Sequence, residues 1–390
     1  MRRSTGHYDR SAVGGEEVAA FVPDPLPPRN PPLALTGGLE GRLRAAEQAI
    51  SRLELASEMV PSIDWFLYAF VRKEAVVSSQ IEGTQATLVD LFRFEAGESP
   101  DPSVDVEEIC NYLDALQFAR QQLSTDTGLP LSMRLLNEAH RHLMRGVRGS
   151  DKLPGEVRAS QNWVGGTRPG NAAYVPPPPH LVADLLGALE KYIHAQDELP
   201  ALVRAGLLHV QFETIHPYLD GNGRIGRLLI ALSLEHWKLL SQPLLYLSLF
   251  FKRHRSEYYR RLDAVRSEGD WEGWLDFFLD GVATIAEEAV TSAREIFALV
   301  ASDRARVLAT GTTSVAAVQL FESLPRHPIV TVSSAMKLLE TSKPTAGRAI
   351  DLLVEHGVIV ETTGKRRDRW FAYQAYLDRL RAGTDLEVSR

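Results

Sequence analysis

The run His216-Pro217-Tyr218-Leu219-Asp220-Gly221-Asn222-Gly223-Arg224-Ile225-Gly226-Arg227 constrains this chain more than any other segment. An apolar stripe at helical spacing covers Leu202 to Thr214, and another begins at Leu228, so the run is the turn between two helices. Gly221 and Gly223 permit backbone angles that other residues resist, which lets successive N–H groups point into one concavity. The second helix, starting near Asn222–Arg224, adds its positive dipole end there. The turn therefore reads as an anion-binding site.

The side chains of the run agree with that reading. Arg224 and Arg227 stand three residues apart on one helix and can reach the same region. Two fork-shaped cations suit phosphate oxygens. Asp220 brings a hard carboxylate ligand of the kind that holds Mg²⁺ beside phosphates. His216 has an unperturbed pKa close to working pH, as a general base needs. Singly, each has an ordinary explanation: a structural His before Pro, an Asp-Gly turn, arginines paired with surface acids. Together those explanations require independent coincidences within one loop.

A chain of 390 residues has room for two or three domains. Its 44% hydrophobic and 24% charged content is that of an ordinary globular protein. The net charge of -7 argues against whole-molecule attraction to nucleic acid or anionic membrane, while leaving room for a local basic patch. One cysteine, Cys110, excludes an intramolecular disulfide framework and suits a reducing compartment. The greasiest stretch, Leu228 to Phe251, is broken by Glu235, His236, Lys238 and Pro243. Buried helices account for it better than a membrane span, and a cytoplasmic location is expected.

Residues 1 to about 35 are rich in Pro and Gly and read as extended. Helical spacing starts near Leu39, and a helix through Lys73 to Ile81 should end at Gly83. Further helices are expected over Val106–Leu123 and Ser132–Arg145. Between Gly155 and Pro179, Val157, Trp163, Val164, Tyr174 and Val175 flank a turn-rich stretch and predict a hairpin-like flap. After about Val300 a Gly311-containing segment reads as a linker to a small separate unit.

The central run resembles the Fic signature, with Tyr218 at a position where the family usually has Phe. Leu208 to Ile215 is similar to the family's helix leading into the loop. The resemblance implies a protein adenylyltransferase that moves AMP from ATP onto Ser, Thr or Tyr hydroxyls. His216 would take the hydroxyl proton, and Asp220 would ligate Mg²⁺. Gly221, Asn222, Gly223 and Arg224 would stabilise the phosphates, and Arg227 would grip the γ-phosphate. Tyr258 and Tyr259 fall where the family has an aromatic near the adenine, although helix packing explains them about as well.

Glu82 is expected in the last turn of its helix, where the dipole disfavours an anion and a cationic partner would help; a solvated surface Glu is the plain alternative. Ser78-x-x-x-Glu82-Gly83 resembles the family's inhibitory motif, placed N-terminal to the core. That implies a brake in which Glu82 pairs with Arg227 and denies it to the γ-phosphate. The flap, from Arg158 to Pro179, resembles the one that lies over Fic active sites and could take up a target segment as an added strand.

The tail reads as helix, helix, hairpin. One helix is expected over Ser333–Glu340 and a second from Ser342 through His356, with Val358–Val360 and Trp370–Tyr373 as strands about Lys365, Arg366, Arg367 and Arg369. This looks like a winged helix, whose candidate DNA contacts are Lys343, Thr345, Arg348 and the wing cations. The expected architecture is mainly α: an N-terminal region with the inhibitory helix (1–115), a Fic-type core with a β-hairpin flap (116–300), and an α+β winged helix-turn-helix (301–390). Target proteins, self-modification, a homodimer and DNA are the partners left open. Two rivals stand beside AMP transfer. One is a Fic enzyme that moves another phosphate-containing group or removes AMP; the other is a DNA-binding regulator with a nucleotide-sensing core.

Overall fold

A computed structural model of the chain describes residues 3–59, 63–97, 101–309 and 314–386. The Gly311 segment read as a linker lies outside the described residues. Strands β1 (Gly6–Val13) and β2 (Glu16–Pro23) come first. Helices α1 (Gly38–Met59), α2 (Ile63–Ile81), α3 (Leu88–Glu95), α4 (Val104–Leu123) and α5 (Met133–Leu143) follow. Then come α6 (Pro179–His194), α7 (Ala201–Ile215), α8 (Asn222–His236), α9 (Ser248–Arg253), α10 (Arg255–Glu268) and α11 (Trp271–Leu308). The last group is α12 (Val315–Ser323), β3 (Ile329–Thr331), α13 (Val332–Leu338), α14 (Lys343–Glu355), β4 (Val360–Glu361), β5 (Trp370–Ala372) and α15 (Gln374–Leu380). The fold is mainly helical with two small sheets.

These elements form two compact units: residues 1–54 with 110–286, and residues 55–109 with 287–390. In the first, α7 is the axis, and every residue from Leu202 to Ile215 is buried. A helix apolar on all sides is stable only inside a core. Its polar side chains must therefore find partners within the protein. Arg204 donates to the carbonyls of Tyr192, Ile193 and Ala195 at the end of α6. Gln211 donates to the Asp24 carbonyl after β2. Trp274 of α11 donates its indole N–H to the Gly206 carbonyl at 2.9 Å, where a glycine lets the helices approach closely. The extended N-terminal segment is a hairpin, β1 antiparallel to β2, turning at Gly14 and Gly15, both with positive φ.

In the second unit α2 ends at Ile81, with Gly83 in the left-handed region at φ 101°, so Glu82 lies just past the helix. Thr87 caps α3 through a reciprocal box with Asp90. The C-terminal elements build the sheet β3-β5-β4, with Ile329 opposite Ala372 and Val360 opposite the same residue. Tyr373 donates to Asp303 of α11 at 2.7 Å, and Tyr376 to the Pro325 carbonyl at 3.0 Å. Among the described residues no helix is long and apolar enough to cross a membrane.

Candidate functional site

The loop between α7 and α8 opens at His216, which takes the left-handed conformation (φ 50°, ψ 62°) while its N–H still bonds to the Phe212 carbonyl. That geometry costs a residue with a Cβ about 1–2 kcal/mol, so the surroundings must enforce it. Nδ1 of His216 lies 3.3 Å from the Glu213 carbonyl. The loop closes at Gly221 (φ 76°), the N-cap of α8. A Cβ there would stand 3.0 Å from Met144 Sδ and 3.2 Å from His140 Nε2, so both conformation and space demand glycine.

Side chains from elsewhere satisfy the loop's backbone. Asn222 accepts from the Tyr218 N–H and donates to the Tyr218 carbonyl, both at 2.8 Å, which commits its amide to the loop. Asn162 donates to the same carbonyl, and the Tyr218 hydroxyl donates to Asn137. His140 of α5 accepts from the Gly155 N–H at Nδ1. Its Nε2–H must then donate to the Asp220 carbonyl at 3.0 Å, and the ring stacks on Tyr218 at 3.9 Å. Burial, with Arg224 as a lesser contributor, lowers its pKa to about 4, so His140 is a neutral strut. Arg158, only 2% exposed, donates to the His216, Ile215, Ser160 and Pro177 carbonyls.

Arg224 is 4% exposed, and among the described residues its Nε and Nη1 have no hydrogen-bond partner. Its Nη2 lies 3.6 Å from Met144 Sδ and 3.9 Å from Asp220 Oδ1. A buried guanidinium so placed is suited to anionic oxygens. Gly221 gives α8 no side-chain cap, so the helix presents its first-turn N–H groups beside that cation. Arg227 is buried one turn further along. The Asp220 side chain is 48% exposed, with Oδ1 accepting the Gly221 N–H at 2.6 Å. Among the described residues no group of three His, Cys, Asp or Glu side chains could hold a metal. A lone carboxylate beside an anion site matches Mg²⁺, which takes most of its remaining ligands from phosphates and water.

Below the loop, His209 of α7 bonds through Nδ1 to the Gly226 carbonyl at 3.0 Å and through Nε2 to the Tyr258 hydroxyl at 2.8 Å. Tyr258, expected on the adenine side, is 1% exposed and stacks on Phe251 at 4.5 Å. It is a packing residue in this structure, whereas Tyr259 is 42% exposed.

The expected flap hairpin is reduced to one bridge, Val164 opposite Tyr174, with a 3₁₀ turn at Pro169–Asn171. Its outer backbone is engaged elsewhere. The Phe21 N–H of β2 bonds to the Val175 carbonyl, and Glu16 accepts from Arg168 and from the Gly170 N–H.

In the second unit Ser78 is buried and Glu82 exposed. The turn that follows α2 is braced twice. Thr84 donates to Glu108 at 2.6 Å, and Gln80 donates to the carbonyls of Ala86 and Thr384. Lys343, Arg348 and the cations of Lys365–Arg369 are all exposed. Glu361, accepting from Thr363 and the Gly364 N–H, orders the loop between β4 and β5.

His140, His209, Asn137 and Asn162 brace the loop and α8 without having been singled out by the sequence, and Arg158 figured there only as the start of the flap. The signal for His140 was its place on the apolar stripe of α5 between Leu136 and Leu143, since a polar side chain there needs buried partners.

Residues 41–121 match the Fic/DOC family N-terminal domain, and residues 130–234 match the Fic/DOC family domain itself. A probable protein adenylyltransferase of Aquifex aeolicus is 25% identical over 43% of this chain and 49% of its own length. The protein adenylyltransferase Fic of Drosophila grimshawi is 31% identical over 39% of this chain and 29% of its own. The chain thus spans about half or less of these relatives. A Fic family protein from Desulfovibrio desulfuricans superposes with a TM-score of 0.57 at 20% identity, covering 88% of this chain and 97% of that one. Two stretches of the chain are thus similar to Fic/DOC family domains, and its fold is like that of a Fic family protein.

Proposed function

We propose that this chain is a protein adenylyltransferase that moves AMP from ATP onto Ser, Thr or Tyr hydroxyls of proteins, with Glu82 as its brake. The observation that carries the reading is Arg224, buried with two guanidinium nitrogens unpartnered beside the open first turn of α8. That is a standing demand for anionic oxygens, and the adenylyltransferase relatives supply the kind of anion.

A proton on His216 Nδ1 facing the Glu213 carbonyl puts the basic lone pair on Nε2. Nε2 takes the proton of the target hydroxyl, whose oxygen bonds to the α-phosphorus as the bond to pyrophosphate breaks. Arg224 and the first-turn N–H groups of α8 stabilise the charge on the transferring and leaving phosphates, and Arg227 holds the γ-phosphate. Asp220 would hold Mg²⁺, which supplies charge neutralisation when bound. Most of the acceleration comes from positioning.

The test is mass spectrometry of the chain after incubation with ATP and Mg²⁺. The Glu82→Gly variant should gain the mass of AMP much faster than the parent, and His216→Ala in that background should gain none. Equal incorporation by the parent and Glu82→Gly would remove the brake. Persistent incorporation without His216 would remove the mechanism, and a different added mass would favour the rival transfer of another phosphate-containing group.

A second reading concerns the C-terminal elements, read as a winged helix that contacts DNA. It is supported by exposed Lys343, Arg348, Lys365, Arg366, Arg367 and Arg369 on α14 and the β4–β5 loop. A mobility shift whose affinity does not fall with salt would count against it.

A further inference from the structure

The geometry points to Arg158 as the positioning residue that locks His216 in its reactive orientation and welds the flap to the catalytic loop; this rests on the assignment of His216 as the base. The guanidinium is 2% exposed, and among the described residues no carboxylate pairs with it. A buried cation without a counter-charge is expensive, and burial lowers its pKa to about 10. Among the described residues Arg158 is held by main-chain oxygens. It donates Nε–H to the His216 carbonyl at 2.9 Å and Nη2–H to the Ile215 carbonyl at 3.4 Å. Towards the flap it donates Nη2–H to the Pro177 carbonyl at 2.5 Å and Nη1–H to the Ser160 carbonyl at 3.3 Å. Its backbone N–H adds a bond to the Pro217 carbonyl at 2.9 Å. Three consecutive loop carbonyls, Ile215, His216 and Pro217, thus end on one residue.

This arrangement answers the problem set by the left-handed His216. Its carbonyl direction is set by ψ, and φ and ψ together aim the Cβ and the imidazole. Fixing the carbonyls on both sides of that α-carbon fixes the direction of its Cβ, the point from which the ring projects. The planar five-donor fork of arginine can serve several carbonyls at once, which lysine's single ammonium serves less well. Because two of those carbonyls belong to the flap, the same contacts set the height of the flap over the base.

The test uses the full chain in the Glu82→Gly background, with Arg158→Met and Arg158→Lys. Misplacing a catalytic group by about 1 Å costs roughly 100-fold, so Arg158→Met should lose about that factor in kcat, with one ATP still bound per chain and KM for ATP within about threefold. Arg158→Lys should recover to within about tenfold of the parent. Amide exchange gives a readout free of activity. The His216 and Tyr218 amides should exchange at least about tenfold faster in Arg158→Met, or in Arg158→Gln should the first variant fail to fold, with Leu207–Phe212 unchanged. A kcat within threefold of the parent, exchange unchanged at those amides, or faster exchange all along α7 would overturn the assignment. If His216→Ala still transfers AMP, the assignment of the base fails instead, and the exchange measurement alone judges Arg158.

Discussion

His209 is the clearest case in which hydrogen-bond bookkeeping fixes a protonation state, and it yields a stability prediction of stated size. Nδ1–H donates to the Gly226 carbonyl and Nε2 accepts from the Tyr258 hydroxyl, so a second ring proton would meet an O–H donor inside the core. Burial, with Arg227 a minor contributor, lowers the pKa to about 3. In the unfolded chain the ring titrates near its ordinary value of about 6.5. The folded pKa is depressed, so its stabilising contribution is complete above pH 6.5 and is lost as pH falls toward 3. At pH 5 the unfolded state has taken up nearly one proton that the folded state refuses, which removes about 2 kcal/mol. That figure hardly changes for any folded pKa below about 4. His209→Gln, whose amide can still donate and accept, should be less stable than the parent at pH 8 by about 1–2 kcal/mol. Its stability should then fall about 2 kcal/mol less on going to pH 5, so the two curves converge. Urea unfolding at pH 8, 6.5 and 5, followed by circular dichroism and tryptophan fluorescence, measures this. Parallel curves for the two proteins would refute the neutral buried His209.

Arg224→Met should weaken ATP binding by roughly 10–100-fold in a calorimetric titration while leaving the melting temperature nearly unchanged, because the lost contacts are to ligand oxygens. Asp220→Asn should raise the Mg²⁺ concentration for half-maximal AMP transfer by about tenfold or more, measured by labelled-AMP incorporation. Gly226→Ala would set a methyl 2.2 Å from the Glu213 carboxylate and 3.3 Å from His209, and should destabilise the chain by about 1–3 kcal/mol in thermal unfolding.

Much of this site was legible because its chemistry is local in sequence. His216, Asp220, Arg224 and Arg227 share one loop and one helix turn, so adjacency alone brought them together, and apolar spacing marked α7 and α8 on either side. The termination of α2 before Gly83 was readable for the same reason, since a left-handed cap is a property of one residue. The flap was less legible. Alternating Val, Trp and Tyr residues predict a hairpin, yet Pro169 and Pro176–Pro179 cannot donate, and β2 and Arg158 occupy carbonyls that a second strand would need. Tyr258 shows another limit, because spacing cannot distinguish a ring that faces a ligand from one whose hydroxyl is committed to a buried histidine.

The illegible part has one common form. His140 reaches the Asp220 carbonyl 80 residues away, Arg158 the His216 carbonyl 58 away, and Asn162 the Tyr218 carbonyl 56 away. Each bond ends on a main-chain atom, which carries no residue identity and so leaves no motif. Their combined effect bears directly on the chemistry. The carbonyls of Ile215, His216, Pro217, Tyr218 and Asp220 accept from groups outside the loop, so none of them draws on the loop's own reactive side chains. Arg224 can then keep two donors unpartnered, and Asp220 can keep its carboxylate at the surface. The anion site stays open because distant helices and the flap meet the demands of the loop's carbonyls.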